Sequence, residues 1–272
     1  MPSARVSVPR VGFRPPVYVC RRATKPFTAD GRLDKDFWAE AELTDPFVDI
    51  EGEDRPAPRY ATRAKLLWDD ENLYIGAELR GPEIWATVTQ RDAIIYDDND
   101  FEVFLLHPDS GERQYYELEM NALNTVWDLL LTKPYRDGGM PVNGFDFHGL
   151  QTAVFVDGAV NDPTQRNRLW SAEVAIPFHS ISECARRNRG PQAGEYFRMN
   201  FSRVHWDVDI ADGAYRKRRD PESGRLLPEN NWVWSPTGLV NIHYPELWGF
   251  VFFDGGAGGE PSPAPEIPPD ER

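Results

Sequence analysis

Cysteine is scarce in this chain: Cys20 and Cys184 are the only two in 272 residues. Two thiols cannot build a disulfide framework, and nothing around them has metal-ligand spacing. They read as two small buried residues, with a single bridge between them left open. Histidine is sparse too. The five, at positions 107, 148, 179, 205 and 243, form no HxxxH or HxH pair, so no zinc motif is present. The chain also lacks a nucleophile elbow, a phosphate loop and a dinucleotide fingerprint. Its paired glycines at 138–139 and its glycines at 255–259 fall outside any strand-to-helix context. No apolar run approaches the roughly 20 residues of a membrane span. The first 19 residues are interrupted by Arg5, Pro9, Arg10 and Arg14 and so lack the apolar stretch of a secretory signal. The expectation is a cytoplasmic protein unless a leader has been removed. Positive charge is the last deficit. Against 44 acidic residues stand 30 basic ones, a formal charge of −14. Such a chain repels phosphate backbones, which argues against a nucleic-acid partner.

What is present is enough apolar material for a sizeable core, 40% hydrophobic and 12% aromatic. Residues 1–16 read as an irregular arm rich in Pro and Arg. Residues 255–272 have too little apolar content to fold and read as a disordered tail. Between them, 17–254 form one β-rich segment without a linker-like break. Strands are expected over Ala61–Trp68, Asn72–Leu79, Phe101–Leu106, Gln114–Asn121, Thr125–Leu131, Gly149–Val156, Arg168–Ile176, Tyr196–His205 and Leu247–Phe253, joined by Asp-Gly, Pro-Asp-Ser-Gly and Asn-Asp-Pro turn signals. Short helices are expected at Lys35–Ala41 and Phe178–Arg187. Many strands with few helices point to an all-β, two-sheet antiparallel β-sandwich.

Alternation assigns faces. Tyr116, Leu118 and Met120 point one way, and Glu117, Glu119 and Asn121 the other. In the preceding strand Glu102 is one carboxylate on an otherwise apolar ribbon. An antiparallel neighbour brings it close to the Glu117–Asn121 face. Asp97, Asp98, Asn99 and Asp100 lead into that strand and read most simply as a solvated turn. For the strand acids three roles stay open: acceptors for a polyol, a calcium site built from hard oxygens, or the acid and base of a glycoside hydrolase. The nine tryptophans divide similarly. Trp38, Trp68 and Trp170 belong to the core by pattern. Trp127, Trp206 and the Trp232/Trp234 pair lie beside polar neighbours such as Asn124, Asp128, Arg203, Asp207 and Asn231. Flat rings interleaved with amides, carboxylates and guanidinium groups suit a sugar, whose apolar face stacks while its hydroxyl rim bonds.

Six ordered segments carry a family resemblance: DGRLDKDFWAEA, AKLLWDDENLYIGAELR, YDDNDFEVFLLHPD, RLWSAEVAIPF, FRMNFSRV and WSPTGLVNIHYPELWGFVFF. Over about residues 27–253 the chain resembles family 9 carbohydrate-binding modules and their stand-alone bacterial relatives. The resemblance implies a β-sandwich that clamps a sugar end between two aromatic side chains. It places Tyr96 at the first aromatic position and Glu102 at a polar sugar contact. Where the family carries Arg and Asn contacts, this chain has Glu117 and Glu119. The second clamp position falls on His243 or Tyr244. The resemblance also implies calcium, with no ligands mapped onto this chain. The reading is non-catalytic carbohydrate binding by Tyr96, Glu102, Glu117, Glu119, Asn121, Trp127, Arg203, Trp206 and His243. The alternatives are a carbohydrate-active hydrolase using Glu102 with Glu117 or Glu119, and an interaction domain that has lost its ligand site.

Overall fold

The computed structural model describes residues 12–111, 113–184, 189–256 and 266–268. The first eleven residues of the expected arm, most of the expected tail and the end of the expected Phe178–Arg187 helix lie outside the described residues. The fold is all-β. Its strands are β1 (Val17–Arg22), β2 (Val48–Asp49), β3 (Thr62–Trp68), β4 (Asn72–Arg80), β5 (Asp100–Leu106), β6 (Tyr115–Asn121), β7 (Val126–Leu131), β8 (Pro141–Val142), β9 (Gln151–Asp157), β10 (Leu169–Pro177), β11 (Tyr196–His205), β12 (Val208–Ala211), β13 (Ala214–Lys217), β14 (Asn230–Val233) and β15 (Gly249–Phe253). Each of the nine expected strands is present to within about two residues. Both expected helices are instead 3-10 turns, at Asp36–Trp38 and Phe178–Ile181.

Thirteen strands form one continuous hydrogen-bonded sheet, ordered β8-β7-β6-β5-β11-β15-β1-β3-β4-β10-β9, with β14 and β2 attached through β11. It curls on itself. Residues of the β3-β4-β10 half and of the β5-β6-β11-β15 half share one core cluster, which includes Trp68, Ile75, Trp170, Phe101, Leu118, Phe201 and Trp234. That arrangement is consistent with a β-sandwich. Strand β1 is the hinge between the halves. Val17–Cys20 pair with β15 and Arg21–Arg22 with β3, both parallel, whereas every other pairing is antiparallel. A strand handed from one half to the other turns the corner of the sheet, as expected where packed sheets share a strand. Strands β12 and β13 form a separate hairpin whose turn residues Asp212 and Gly213 both have positive φ, 52° and 73°. A primed two-residue hairpin turn needs that conformation at both positions.

The opening motif DGRLDKDFW is stapled to the outside of the β4–β10 half by one buried acid. Glu173 of β10 accepts the Trp38 indole N–H at 2.6 Å and the Asp30 and Gly31 amides at 2.9 and 2.8 Å. Lys35 Nζ lies 2.6 Å from the same carboxylate. Two glycines make this fit. Gly76, opposite Glu173, leaves room for Trp38 and Leu33, and Gly31 sits at φ 79° with its Cα against the β9 backbone; a Cβ there would lie 2.2 Å from Phe155 N. Four donors at one carboxylate satisfy its oxygens in this fully buried seam. Cys20 and Cys184 are both free and buried. Among the described residues, no helix is long and apolar enough to cross a membrane.

Candidate functional site

Register builds the site. Across the sheet, Ser202 of β11 stands opposite Glu102 of β5, Glu102 opposite Glu119 of β6, and Glu119 opposite Trp127 of β7. The next row runs Asn200, Phe104, Glu117, Leu129. Directly opposed side chains share a face, and alternate residues take the other. Phe101, Val103, Leu105, Tyr116, Leu118 and Met120 therefore enter the main core. Glu102, Glu117 and Glu119 face away from it, into a cavity of about 430 Å³. Tyr96, Trp127, Tyr135 and His243 also line this cavity, with Glu229 and Asn241 from loops and Asn231 from β14 closing it. The Tyr96 and Trp127 rings lie 6.3 Å apart. Tyr135 meets His243 edge-on at 4.7 Å, and the Tyr115 hydroxyl holds His243 Nδ1 at 2.7 Å.

The run before β5 is the frame of this wall. Asp98 Oδ2 accepts the Thr87 and Val88 amides, both at 2.8 Å, and its Oδ1 accepts the Thr87 hydroxyl. Asn99 Oδ1 accepts the Trp206 amide at 2.7 Å, and Asp100 Oδ1 accepts the Val204 amide at 3.1 Å. Asp98, Asn99 and Asp100 are buried, so the solvated-turn expectation holds only for exposed Asp97, which pairs with Lys217 at 3.7 Å. These acceptors bind the loop to β11 and present Tyr96, a residue 44% exposed. The Tyr96 carbonyl accepts the Trp206 indole N–H at 2.9 Å, and its amide donates to Glu119 Oε2 at 3.1 Å.

Among the described residues, Glu102, Glu117 and Glu119 have no basic partner. Burial raises Glu102 to about 7, opposed by a hydrogen bond from Ser202. Burial and then the neighbouring Glu102 raise Glu117 to about 8, opposed by its hydrogen bond with Glu119. Glu119 is held well above the carboxylate range by burial and by Glu102, Asp100 and Glu117. Desolvation and like charge act in the same direction, so near neutral pH the cluster retains protons. Burial lowers His243 to about 4, leaving a neutral ring. Two polar atoms of the cavity wall, Glu117 Oε2 and Trp127 Nε1, are buried without a hydrogen-bond partner.

The carbohydrate family 9 binding domain-like model matches residues 29–190. That is most of the folded chain. The chain belongs to this family. The match contains Tyr96, Glu102, Glu117, Glu119, Trp127 and Tyr135, and the remainder of the cavity comes from the chain beyond it. Solved structures similar to this family 9 domain share its fold. A candidate carbohydrate-binding protein from Bacteroides uniformis aligns with TM-score 0.60 at 15% identity, over 88% of this chain and 99% of its own. A family 9 module from Caldicellulosiruptor kristjanssonii in complex with cellotriose aligns with TM-score 0.54 at 16% identity, over 92% and 100%. The same kind of module from that organism, in complex with glucose, aligns with TM-score 0.53 at 16% identity, over 89% and 98%. No curated protein matches the chain.

Of the expected site residues, the family 9 domain brings Tyr96, Glu102, Glu117, Glu119, Trp127 and His243 to one cavity. The other three do not line it. Asn121 closes the β6–β7 turn, accepting the Leu123 and Thr125 amides and donating to Val88 O and Asp98. Arg203 shares the β11 face of Phe197, Met199 and Phe201, so it points to the other side of the sheet. There it donates to Thr62 Oγ1 and Arg80 O and lies over Trp232. Trp206 packs with Trp85 and Val204 behind Tyr96. Tyr244, the alternative second aromatic, stacks under Arg136 outside the cavity lining. Sequence reasoning missed Tyr135, Glu229, Asn231, Asn241 and Ser202. Only Ser202 carried a signal, its parity with Asn200 and Arg198 on β11.

Calcium would need clustered oxygens, and among the described residues two groups of three acids qualify by distance. Asp92, Asp128 and Asp146 already surround the Arg91 guanidinium. Asp100, Glu102 and Glu119 have donor oxygens within 4.8 Å of one another and no basic partner among the cavity-lining residues. Their hard oxygens fit calcium chemically.

Proposed function

We propose that this family 9 domain, acting as one unit over residues 17–254, binds a saccharide in the cavity between Tyr96 and His243 without cleaving it. The observation that carries this reading is the lining itself: aromatic rings of Tyr96, Trp127 and Tyr135 stand around one cavity with the carboxylates of Glu102, Glu117 and Glu119 and the amides of Asn231 and Asn241. A ligand with an apolar face and a rim of hydroxyls matches that mixture. The cavity volume of about 430 Å³ falls within the range of small-ligand pockets. Tyr96, Trp127 and Tyr135 supply faces for the apolar side of a sugar ring, while Glu102, Glu117, Glu119, Asn231 and Asn241 supply its rim partners. Asn121, Arg203 and Trp206 act as frame.

Hydrolysis fits the geometry less well. Glycosidase acids flank the scissile bond from two sides. Glu102 and Glu119 are instead ladder partners on one floor, and Glu117 shares a hydrogen bond with Glu119. Calorimetric titration with neutral mono- and oligosaccharides tests the binding reading. Binding is expected, with at least a tenfold loss in Tyr96→Ala at unchanged circular dichroism. If no saccharide binds at millimolar concentration, the reading fails. Sugar turnover abolished by Glu102→Gln would replace it with the hydrolase.

A further inference from the structure

The cavity has a charge imbalance that a neutral sugar leaves unanswered. Glu102, Glu117, Glu119 and Glu229 line it, and no Lys or Arg is among its lining residues. Nearby basic groups are engaged elsewhere. Lys217 stacks on Trp206 at 3.5 Å and faces Asp97, while Arg136 is held by Glu246 and Tyr244. His243 is uncharged at neutral pH and already bound by Tyr115. Behind the floor, Asp100 Oδ2 is a further buried oxygen without a partner. Buried acids without counter-charges are unfavourable, and the missing group is a cation that enters with the ligand.

We propose that the cavity selects a saccharide bearing a protonated amine, an amino sugar rather than a neutral one. This rests on the carbohydrate reading above and names its ligand class. The chemistry matches the wall in three ways. An ammonium group presents three N–H donors and no acceptor; on binding it displaces protons that the acids retain near neutral pH, and the ionised carboxylates of neighbouring strands then accept from it together. The charge-assisted bonds that result are the stronger kind. The Tyr96 and Trp127 rings, 6.3 Å apart, add faces that attract cations as well as C–H surface. A divalent metal is the competing occupant. It would draw on the same Glu102, Glu117 and Glu119 oxygens, but Phe104, Leu129, Val204 and Ile242 make part of the wall apolar, which suits the C–H face of a sugar ring and not a hydrated ion.

Three β-1,4 tetrasaccharides that differ only at C2 isolate the claim: the glucosamine, N-acetylglucosamine and glucose tetramers carry an amine, an acetamide and a hydroxyl. Isothermal titration of the full chain near pH 7 is expected to show the glucosamine tetramer binding at least about tenfold tighter than the other two. Glu117→Gln and Glu119→Gln should each narrow that ratio. Equal or tighter binding of the glucose or N-acetylglucosamine tetramer overturns the inference and leaves carbohydrate binding intact. Failure of all three overturns both. Calcium chloride is titrated alone and in competition. Saturation by calcium that shuts out the amine also overturns the proposal, whereas displacement of the amine by millimolar salt only through general screening supports it.

Discussion

Replacing Glu117 with Gln should stabilise the protein by an amount that grows as pH rises from about 4.5 to 8. Glu117 is 5% exposed, has one oxygen without a partner, and titrates at about 8 rather than the ordinary 4.5. A carboxyl whose folded-state pKa is raised holds its proton longer in the native than in the unfolded chain. Between about pH 4.5 and 8 the native state therefore binds the extra proton, and stability falls as pH rises through that window. At about 1.4 kcal/mol per unit, the displacement sets a ceiling on the order of 5 kcal/mol above pH 8. The cavity is open to solvent and its acids share protons, so a gain of about 1–3 kcal/mol is the working expectation for the amide, which mimics the protonated acid. For a domain of this size that corresponds to roughly 3–10 °C in Tm.

Thermal unfolding followed by circular dichroism from pH 4 to 9 reads the effect. The two proteins should melt together near pH 4, diverge between about pH 4.5 and 8 and keep a constant difference above that, with Glu117→Gln the more stable. The groups facing Glu117 are Glu102 and Asp100 of β5, Glu119 of β6, Glu229, Tyr96, Tyr135 and His243. Of these the acids push in the same direction, and His243 is already neutral. The overall charge of −14 also disfavours alkaline pH, but it changes by only one unit between the proteins. The difference between the curves therefore isolates the site. Parallel curves, or a variant less stable at pH 9, would refute the buried-acid argument.

Two further variants test the frame. Glu173→Ala removes the acceptor of Trp38, Asp30 and Gly31 and the partner of Lys35, so urea unfolding should show a loss of about 3–5 kcal/mol. Arg203→Met should cost about 2–4 kcal/mol by freeing Thr62 Oγ1 and the Arg80 carbonyl, yet leave saccharide affinity within about twofold, because the guanidinium lies across the sheet from the cavity. A large affinity loss in correctly folded Arg203→Met would return that residue to the site.

Strand positions were legible in the sequence because alternation is local. The pattern of Tyr116, Leu118 and Met120 against Glu117 and Glu119 needs only β6 itself, and the core cluster takes the first set as expected. Pairing is not local. Nothing near β5 announces that its second neighbour is β11, about a hundred residues on, or that β1 runs parallel to both β15 and β3. The expected short helices shrank to single 3-10 turns because their apolar residues are claimed by tertiary partners, Trp38 by Glu173 and Phe178 by Phe197 and Phe253. Tyr135, Glu229 and Asn241 escaped because they sit in irregular loops, where sequence carries no period to follow.

Arg203 is the more instructive error. Its polar neighbours suggested a binding face, but parity with Phe197, Met199 and Phe201 already placed it on the core side. Parity outranks neighbourhood on a strand, because adjacent residues face opposite ways. Applied to β5 and β6, the same rule converts three acids on apolar strands into a cluster before any coordinates are known. A charge run in a loop is weak evidence, as Asp98 shows: its carboxylate is consumed by the Thr87 and Val88 amides. Of Glu102, Glu117 and Glu119, only Glu119 has a backbone amide among the described residues, from Tyr96. Glu102, Glu117 and Glu119 are forced together on one floor by the ladder that buries their neighbours. A fold that spends stability on holding them unpaired is explained most directly by a ligand that arrives with the missing charge.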